Sequence, residues 1–197
     1  VLLDLTPPEE DLFFLPFTER YGLSGLSRDW DSYRTRNDED IAAEILESHG
    51  LPPADRDAVM GHYVAAMAAS LHGGAVVPQE IPGARALLRG LAAMAGIGIA
   101  TANLLSIARL RLERAGLWDL VAGFAFGAEG GGHKRQTVAK AVAATGLPKG
   151  RIVYVGDNLN DVDAGLSNGV HFIGFSVDDA RRELVTAMSR REGRINE

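Results

Sequence analysis

The sequence predicts an α/β fold: a Rossmann-like parallel-sheet core with an inserted all-helical cap. Three observations carry that prediction. From about residue 79 onward, short apolar runs alternate with helical patterns of ten or more residues, as in parallel sheets with covered faces. One more strand-like run, Val1–Leu5, stands far ahead of them. Between the two, the pattern is helical, which breaks the alternation after the first strand. The expected division is a core of residues 1–8 and 79–197 with a cap of residues 9–78.

The elements follow in chain order. Val1–Leu5 is a buried strand carrying one carboxylate, stopped by Thr6-Pro7-Pro8. The helical stretch begins at Glu9. Asn37 is a natural N-cap for a helix over 38–48, with acids in its first turn and Gly50 just beyond its end. Pro53 opens the next helix, in which Val59, Tyr63, Val64, Met67 and Leu71 recur at helical spacing until Gly73-Gly74. The core then reads as helix 83–95, strand 97–101, helix 105–115 and strand 122–126. A glycine-rich loop (127–132) precedes helix 135–145, strand 151–155, helix 161–167, strand 170–175 and a final helix over 178–190. With Val1–Leu5 included, five strands are expected.

Composition narrows the function classes. Hydrophobic residues make up 46% and charged residues 23%, the mix of an ordinary globule rather than a disordered or fibrous chain. The formal charge of −6 leaves no electrostatic footprint for nucleic acid. The longest apolar runs are too short to cross a bilayer, and no basic n-region precedes an apolar stretch, so no membrane partner and a cytoplasmic location are expected. Zero cysteines exclude a disulfide framework and a thiolate zinc site, and the histidines lack ligand spacing. The chain begins at Val1, already inside an apolar run, so further residues are expected before it and in the loop after the first strand.

In an open parallel sheet, ligands bind beyond the carboxyl ends of the strands. Asp4 and Thr6 end the first strand; Thr101, Ala102 and Asn103 end the second. His133, Lys134 and Arg135 follow the third, and Asp157, Asn158 and Asp161 follow the fourth. Three carboxylates on one rim repel each other unless a cation intervenes, and hard oxygen donors suit magnesium. Lys134 and Thr101 would then neutralise and hydrogen-bond phosphate oxygens, and a carboxylate in line with phosphorus can form an acyl phosphate.

Each residue also has a plainer role. Asp4 can cap a turn, Thr101 can end a strand or cap a helix, and Lys134 can be a solvated charge. Asp157 and Asp161 can be the N-cap and first-turn acids of the helix after them. The glycines at 127–132 match neither a dinucleotide nor a P-loop spacing, so a flexible loop is expected there. What favours chemistry is the joint order: Asp, Thr, Lys, then GDxxxD, each at or just after a strand end.

In that order the chain resembles the haloacid dehalogenase superfamily, and its phosphoglycolate phosphatase-like subgroup in particular. Thr101 in IGIATAN matches the second motif, and Lys134 in GGGHKRQTVAKA the third. Gly156-Asp157-Asn158-Leu159-Asn160-Asp161 matches the fourth in full. The stretch YRTRNDEDIAAEIL (33–46) resembles that subgroup's helical cap. The resemblance implies a phosphatase acting on a small phosphorylated metabolite, with magnesium as cofactor and a monomer or homodimer as the working form. It implies Asp4 as nucleophile and metal ligand, Thr101 and Lys134 as the groups that hold the phosphoryl, and Asp157 and Asp161 at the metal with the Thr6 carbonyl. It further implies that Ala102 and Asn103 bind substrate, and that the cap residues Arg34, Thr35 and Asn37 reach toward the leaving group.

One departure is plain. The family's first motif is DxDGT, whereas this chain has Asp4-Leu5-Thr6-Pro7-Pro8. A threonine hydroxyl does not titrate near neutral pH, so Thr6 cannot replace an acid whose proton transfer is worth roughly 10²–10⁴-fold. Either loop residues are absent from this chain, or a Thr stands there as in P-type ATPases, or the site is degenerate and binds without turnover. The first is the expectation. A phosphomutase or a dehalogenase of the same fold is the alternative chemistry.

Overall fold

The computed structural model describes residues 2–5 and 9–175. Its elements run β1 (Leu3–Leu5), α1 (Glu9–Tyr21), α2 (Asp38–Ser48), α3 (Arg56–Gly73), β2 (Pro78–Glu80) and α4 (Ala84–Ala92). They continue with β3 (Gly98–Ala100), α5 (Leu105–Arg114), β4 (Phe124–Phe126), α6 (Lys134–Thr145), β5 (Val153–Gly156), α7 (Leu159–Asn168) and β6 (His171–Gly174). Short 3₁₀ turns at Trp30–Ser32, Pro53–Asp55, Trp118–Leu120 and Lys149–Arg151 lead into or out of these elements. The final helix expected over 178–190 lies outside the described residues.

The alternation read from the sequence is present. β3 and β4 pair in parallel with α5 between them, and β5 and β6 pair in parallel with α7 between them. These are βαβ units, which require a helix-length crossover to return a parallel strand. Main-chain pairing runs past the first ladder, since Thr101 N–H donates to the Phe126 carbonyl at 3.0 Å. The first strand corrects the sequence reading. β1 does not join a parallel ladder among the described strands but pairs antiparallel with β2, setting Leu3 against Glu80 and Leu5 against Pro78. The physical reason is connectivity. The chain leaves β1 for the helices and returns through β2, so outgoing and incoming segments run side by side in opposite directions.

Two of the three apolar clusters among the described residues lie among helices α1–α3 and beside strands β1 and β3. The larger joins Phe13, Phe14 and Phe17 of α1, Ile41 and Ile45 of α2, and Val59, Tyr63 and Met67 of α3, and it reaches Leu104 and Ile107 at the start of α5. Its aromatic end is ordered by edge contacts, with Phe13 against Tyr63 at 5.3 Å between ring centres and Phe13 against Trp30 at 5.5 Å. The smaller cluster gathers Leu88, Leu112, Leu117 and Val121, with Leu2, Leu3, Ile97 and Ile99 against it, so β1 and β3 share one apolar layer. Arg85 of α4 fastens this region. It donates to Glu80 Oε2 at 2.9 Å and to the carbonyls of Ala115 and Gly116 at 2.6 and 2.7 Å.

Helix α2 starts where the sequence predicts. Asn37 is extended and its side-chain oxygen accepts from Glu39 N and Asp40 N, the N-cap geometry that satisfies otherwise orphaned donors. Pro53 opens a 3₁₀ turn, and α3 proper begins at Arg56. No helix among the described residues is long and apolar enough to cross a membrane.

Candidate active site

A cleft of about 560 Å³ opens between the helical region and the strand ends. On the helical side it is lined by Phe13, Trp30, Arg36, Asp38 and Tyr63; on the strand side by Ala102, Asn103, Lys134, Asp157 and Asp161. The convergence has a simple cause. β3 ends at Ala100 and β5 at Gly156, so the residues just beyond them meet on one rim, and α6 starts with Lys134 at the same edge.

Asp161 is the most constrained group of the rim. Its side chain is 2% exposed, and Lys134 Nζ lies 2.5 Å from Oδ1. Tyr154 donates its hydroxyl to the same oxygen at 2.6 Å, while Asp157 N–H and Asn158 N–H both donate to Oδ2 at 3.1 Å. A carboxylate offers about four acceptor directions, and these four donors use them. Burial pushes the Asp161 carboxyl upward, but the Lys134 charge and the hydrogen bonds outweigh it and hold the group below the usual carboxylate range. The same burial, with the Asp161 charge beside it, drives the Tyr154 phenol well above its ordinary value. Asp161 is also the third residue of α7 and forms a capping box with Asn158, so it shapes the helix start and pairs with Lys134 at once. Gly156 is required by this packing: a Cβ there would stand 2.2 Å from Asp161 Cβ.

Asp157 lines the cleft next to Asn158 and Asn160. Among the described residues no group of three or more His, Asp or Glu gathers as a ligand set. The donors at this corner are carboxylate and amide oxygens, which is the chemistry of a hard divalent cation and not of a zinc site. Asp161, with its acceptor directions in use, holds the main chain of Asp157 and Asn158 in place.

The loop after β3 is built from local bonds. Thr101 Oγ1 accepts from Asn103 N–H at 3.1 Å, and Thr101 and Asn103 side chains lie 3.4 Å apart. Ala102 and Asn103 reach the cleft wall, whereas the Thr101 hydroxyl is engaged in this turn. Behind Asn103 sits Arg111 of α5, buried, with Nη2 donating to the Tyr63 hydroxyl at 3.2 Å and Nη1 lying 3.5 Å from Asn103 Oδ1. Burial lowers its guanidinium to about 10.

The sequence-predicted residues are thus sorted. Ala102, Asn103, Lys134, Asp157 and Asp161 share the cleft. Arg34 and Thr35 do not: Arg34 is exposed and pairs with Glu44 and Glu47 on the flank of α2, and Thr35 donates to Asp40 Oδ2 at 2.9 Å. The reason is local, because carboxylates of α2 capture both side chains before either can reach across. Arg36 takes the place expected of Arg34, lining the cleft with Nη1 3.4 Å from Asn158 Oδ1. Asn37 caps α2 and ties it to the glycine loop. Thr6 and the side chain of Asp4 lie outside the described residues; the Asp4 main chain sits in β1 opposite Gln79.

Sequence reasoning missed Arg36, Asp38, Tyr63 and Arg111. In sequence Asp38 is one of three first-turn acids of α2, and nothing local distinguishes Arg111 from the other arginines of α5. The glycine loop was expected to be flexible and is instead docked, with Gly130 N–H on Glu39 Oε2 at 3.1 Å and Gly132 N–H on Asp40 Oδ2 at 2.7 Å. At Gly131, φ is +70° and a Cβ would lie 2.4 Å from Asp40 Oδ1, so glycine permits both the turn and the close approach.

The family model for haloacid dehalogenase-like hydrolase matches residues 30–175, a span holding Thr101, Lys134, Asp157 and Asp161. The chain belongs to the haloacid dehalogenase-like hydrolases. A solved haloacid dehalogenase-like hydrolase from Streptococcus pneumoniae is similar in fold at 15% identity, with a TM-score of 0.62 over 93% of this chain and 85% of that one. No curated protein matches the chain. The α/β fold expected of a haloacid dehalogenase-like chain is therefore the fold observed, and hydrolase is the class of activity that the family carries.

Proposed function

We propose that this hydrolase is a phosphatase that cleaves a small phosphomonoester, on the pattern of the phosphoglycolate phosphatase-like subgroup. The observation that carries the reading is the meeting in one cleft of Asn103 beyond β3, Lys134 at the start of α6, and Asp157 and Asp161 beyond β5. A fixed ammonium, amide donors and a clustered set of carboxylates suit a dianionic phosphoryl group with a cation, not a hydride carrier.

In this reading Asp4 is the nucleophile. Its carboxylate attacks phosphorus, the bond to the leaving oxygen breaks, and that oxygen takes up a proton. Water then attacks the acyl phosphate, which releases inorganic phosphate and restores Asp4. Lys134 offsets charge on the transferring group, and Thr101, Ala102 and Asn103 hold its oxygens. Asp4, the Thr6 carbonyl and Asp157 would hold magnesium, with Asp161 fixing the Asp157 main chain. When bound, the ion would screen the anionic nucleophile from the anionic substrate. The helical cap, residues 9–78, would close over the reacting centre and select the leaving group. A cytoplasmic metabolite as substrate, and a monomer or homodimer as the working form, belong to the same reading.

The test is hydrolysis of p-nitrophenyl phosphate with and without magnesium, on the wild type and on Asp4→Asn. Turnover that needs both the ion and Asp4 supports the proposal. The reading Asp4-Leu5-Thr6, which lacks the second acid, favours one other assignment: a binding protein without turnover. Phosphate binding in the absence of hydrolysis would select it.

A further inference from the structure

The first turn of α2 does more than start a helix, because its residues grip both loops that leave the β3–β4 ladder. Asp38 N–H donates to the Ala102 carbonyl at 3.3 Å. Asp38 Oδ2 accepts from Leu104 N–H at 2.8 Å, and Oδ1 accepts from the Asn103 side-chain amide at 3.2 Å. On the other loop, Asn37 Nδ2 donates to the carbonyls of Ala128 and Gly132 at 3.3 and 3.1 Å. Glu39 and Asp40 accept there from Gly130 and Gly132.

Asp38 stands out among these. It is 7% exposed, lines the cleft, and spans from the helical region to the loop that carries Thr101 and Asn103. We propose that Asp38 is a positioning residue: its carboxylate, by holding Leu104 N–H and the Asn103 amide, sets the 101–104 loop in the shape that receives the phosphoryl group. This rests on the phosphatase reading above. A docked helical region and a formed anion-binding loop are then one state, because the same carboxylate makes both. The charge is kept at a cost. Burial pushes the Asp38 carboxyl up to about 6, the Leu104 and Asn103 donors oppose that shift, and Glu129 and Glu39 add to it. Tyr63 from α3 and Arg111 from α5 complete its surroundings, with Arg36, Lys134, Asp157 and Asp161 lining the same cleft. A group retained at such a cost points to work done by its ionised form.

The test combines amide hydrogen exchange with kinetics on p-nitrophenyl phosphate for Asp38→Ala and Asp38→Asn. In Asp38→Ala the Leu104 amide should exchange at least about tenfold faster, and kcat/KM should fall about 10- to 100-fold, as expected for losing hydrogen bonds to a charged acceptor. Asp38→Asn keeps one acceptor oxygen for Leu104 but sets an NH₂ group against the Asn103 amide, so it should lose kcat/KM while Leu104 stays protected. It is isosteric and uncharged, and it supplies the measurement if Asp38→Ala does not fold. A role confined to stability would leave the pH profile unmoved. Here kcat/KM of the wild type should drop as pH falls through about 6, and Asp38→Asn should lack that step. Unchanged protection of Leu104 in Asp38→Ala, or kcat/KM of both variants within twofold of wild type, overturns the proposal. If the wild type hydrolyses nothing, the phosphatase reading falls on its own, and Leu104 exchange still decides whether Asp38 holds the loop.

Discussion

Lys134→Met is the most informative single perturbation of stability. It removes the cation from an oxygen of Asp161, a carboxylate whose side chain is 2% exposed, and leaves a charge that water cannot reach. Removing one partner of a buried pair costs about 3–5 kcal/mol. Asp161 keeps the Tyr154 hydroxyl and two main-chain donors, so the lower end applies, about 3 kcal/mol. With a urea slope of about 3 kcal/mol/M, that moves the unfolding midpoint by about 1 M. The pH dependence follows from the sign of the shift. In the wild type the Asp161 carboxyl lies below its unfolded value of about 3.9, so its contribution is present above that pH and is lost as pH falls through the folded value. In Lys134→Met burial acts without the ammonium, so the acid takes up its proton at higher pH than in the wild type, and the penalty shrinks as pH falls. Asp161→Asn and the double variant close the cycle, and the two single costs should exceed the double by at least about 1 kcal/mol. A Lys134→Met penalty under about 0.5 kcal/mol, or strictly additive costs, would refute the pairing argument.

Three further outcomes are expected. Asn37→Asp should destabilise at least as much as Asn37→Ala in thermal unfolding, even though Asp is as good an N-cap. The reason is that its second oxygen would face the Ala128 and Gly132 carbonyls, and each variant should cost about 1–2 kcal/mol. Gly156→Ala should displace Asp161 and lower stability by about 1–3 kcal/mol in urea unfolding, since a Cβ at 156 would overlap the Asp161 side chain. Asp38, whose carboxyl is raised to about 6, favours the folded state most below its unfolded value and loses that contribution as pH rises through about 6, so Asp38→Asn should flatten the urea-midpoint profile between pH 4 and pH 7.

Much of this molecule could be read before its shape was known. GDxxxD was legible because an apolar strand must end somewhere, and Gly156-Asp157 ends one where a helix with a capping box begins. Asn37 announced α2 through its chemistry alone. Other features were hidden for physical reasons. Pro78-Gln79-Glu80 has no strand propensity, and only pairing with β1 makes it extended. Asp38 differs from Glu39 and Asp40 by which way one helical turn faces, and that is set by packing of Ile41 and Ile45 into the aromatic core. Arg111 meets Tyr63 across 48 residues of sequence, a distance no local pattern reports. The glycine run looked mobile because its partners, Glu39 and Asp40, sit some ninety residues earlier.

The antiparallel pairing of β1 with β2 has a consequence for how such a chain can vary. Leu5 and Pro78 stand opposite each other in the ladder, so the polypeptide leaves and re-enters the strand layer at a single point. Everything from residue 6 to residue 77 is, seen from that layer, one long excursion whose ends are already joined. Lengthening a closed excursion adds only about (3/2)RT ln of the length ratio to its closure entropy. Helices can therefore be gained, lost or exchanged beyond that point while the strand ends, with Asn103 and Asp157 just past them and Lys134 at the start of α6, keep their register.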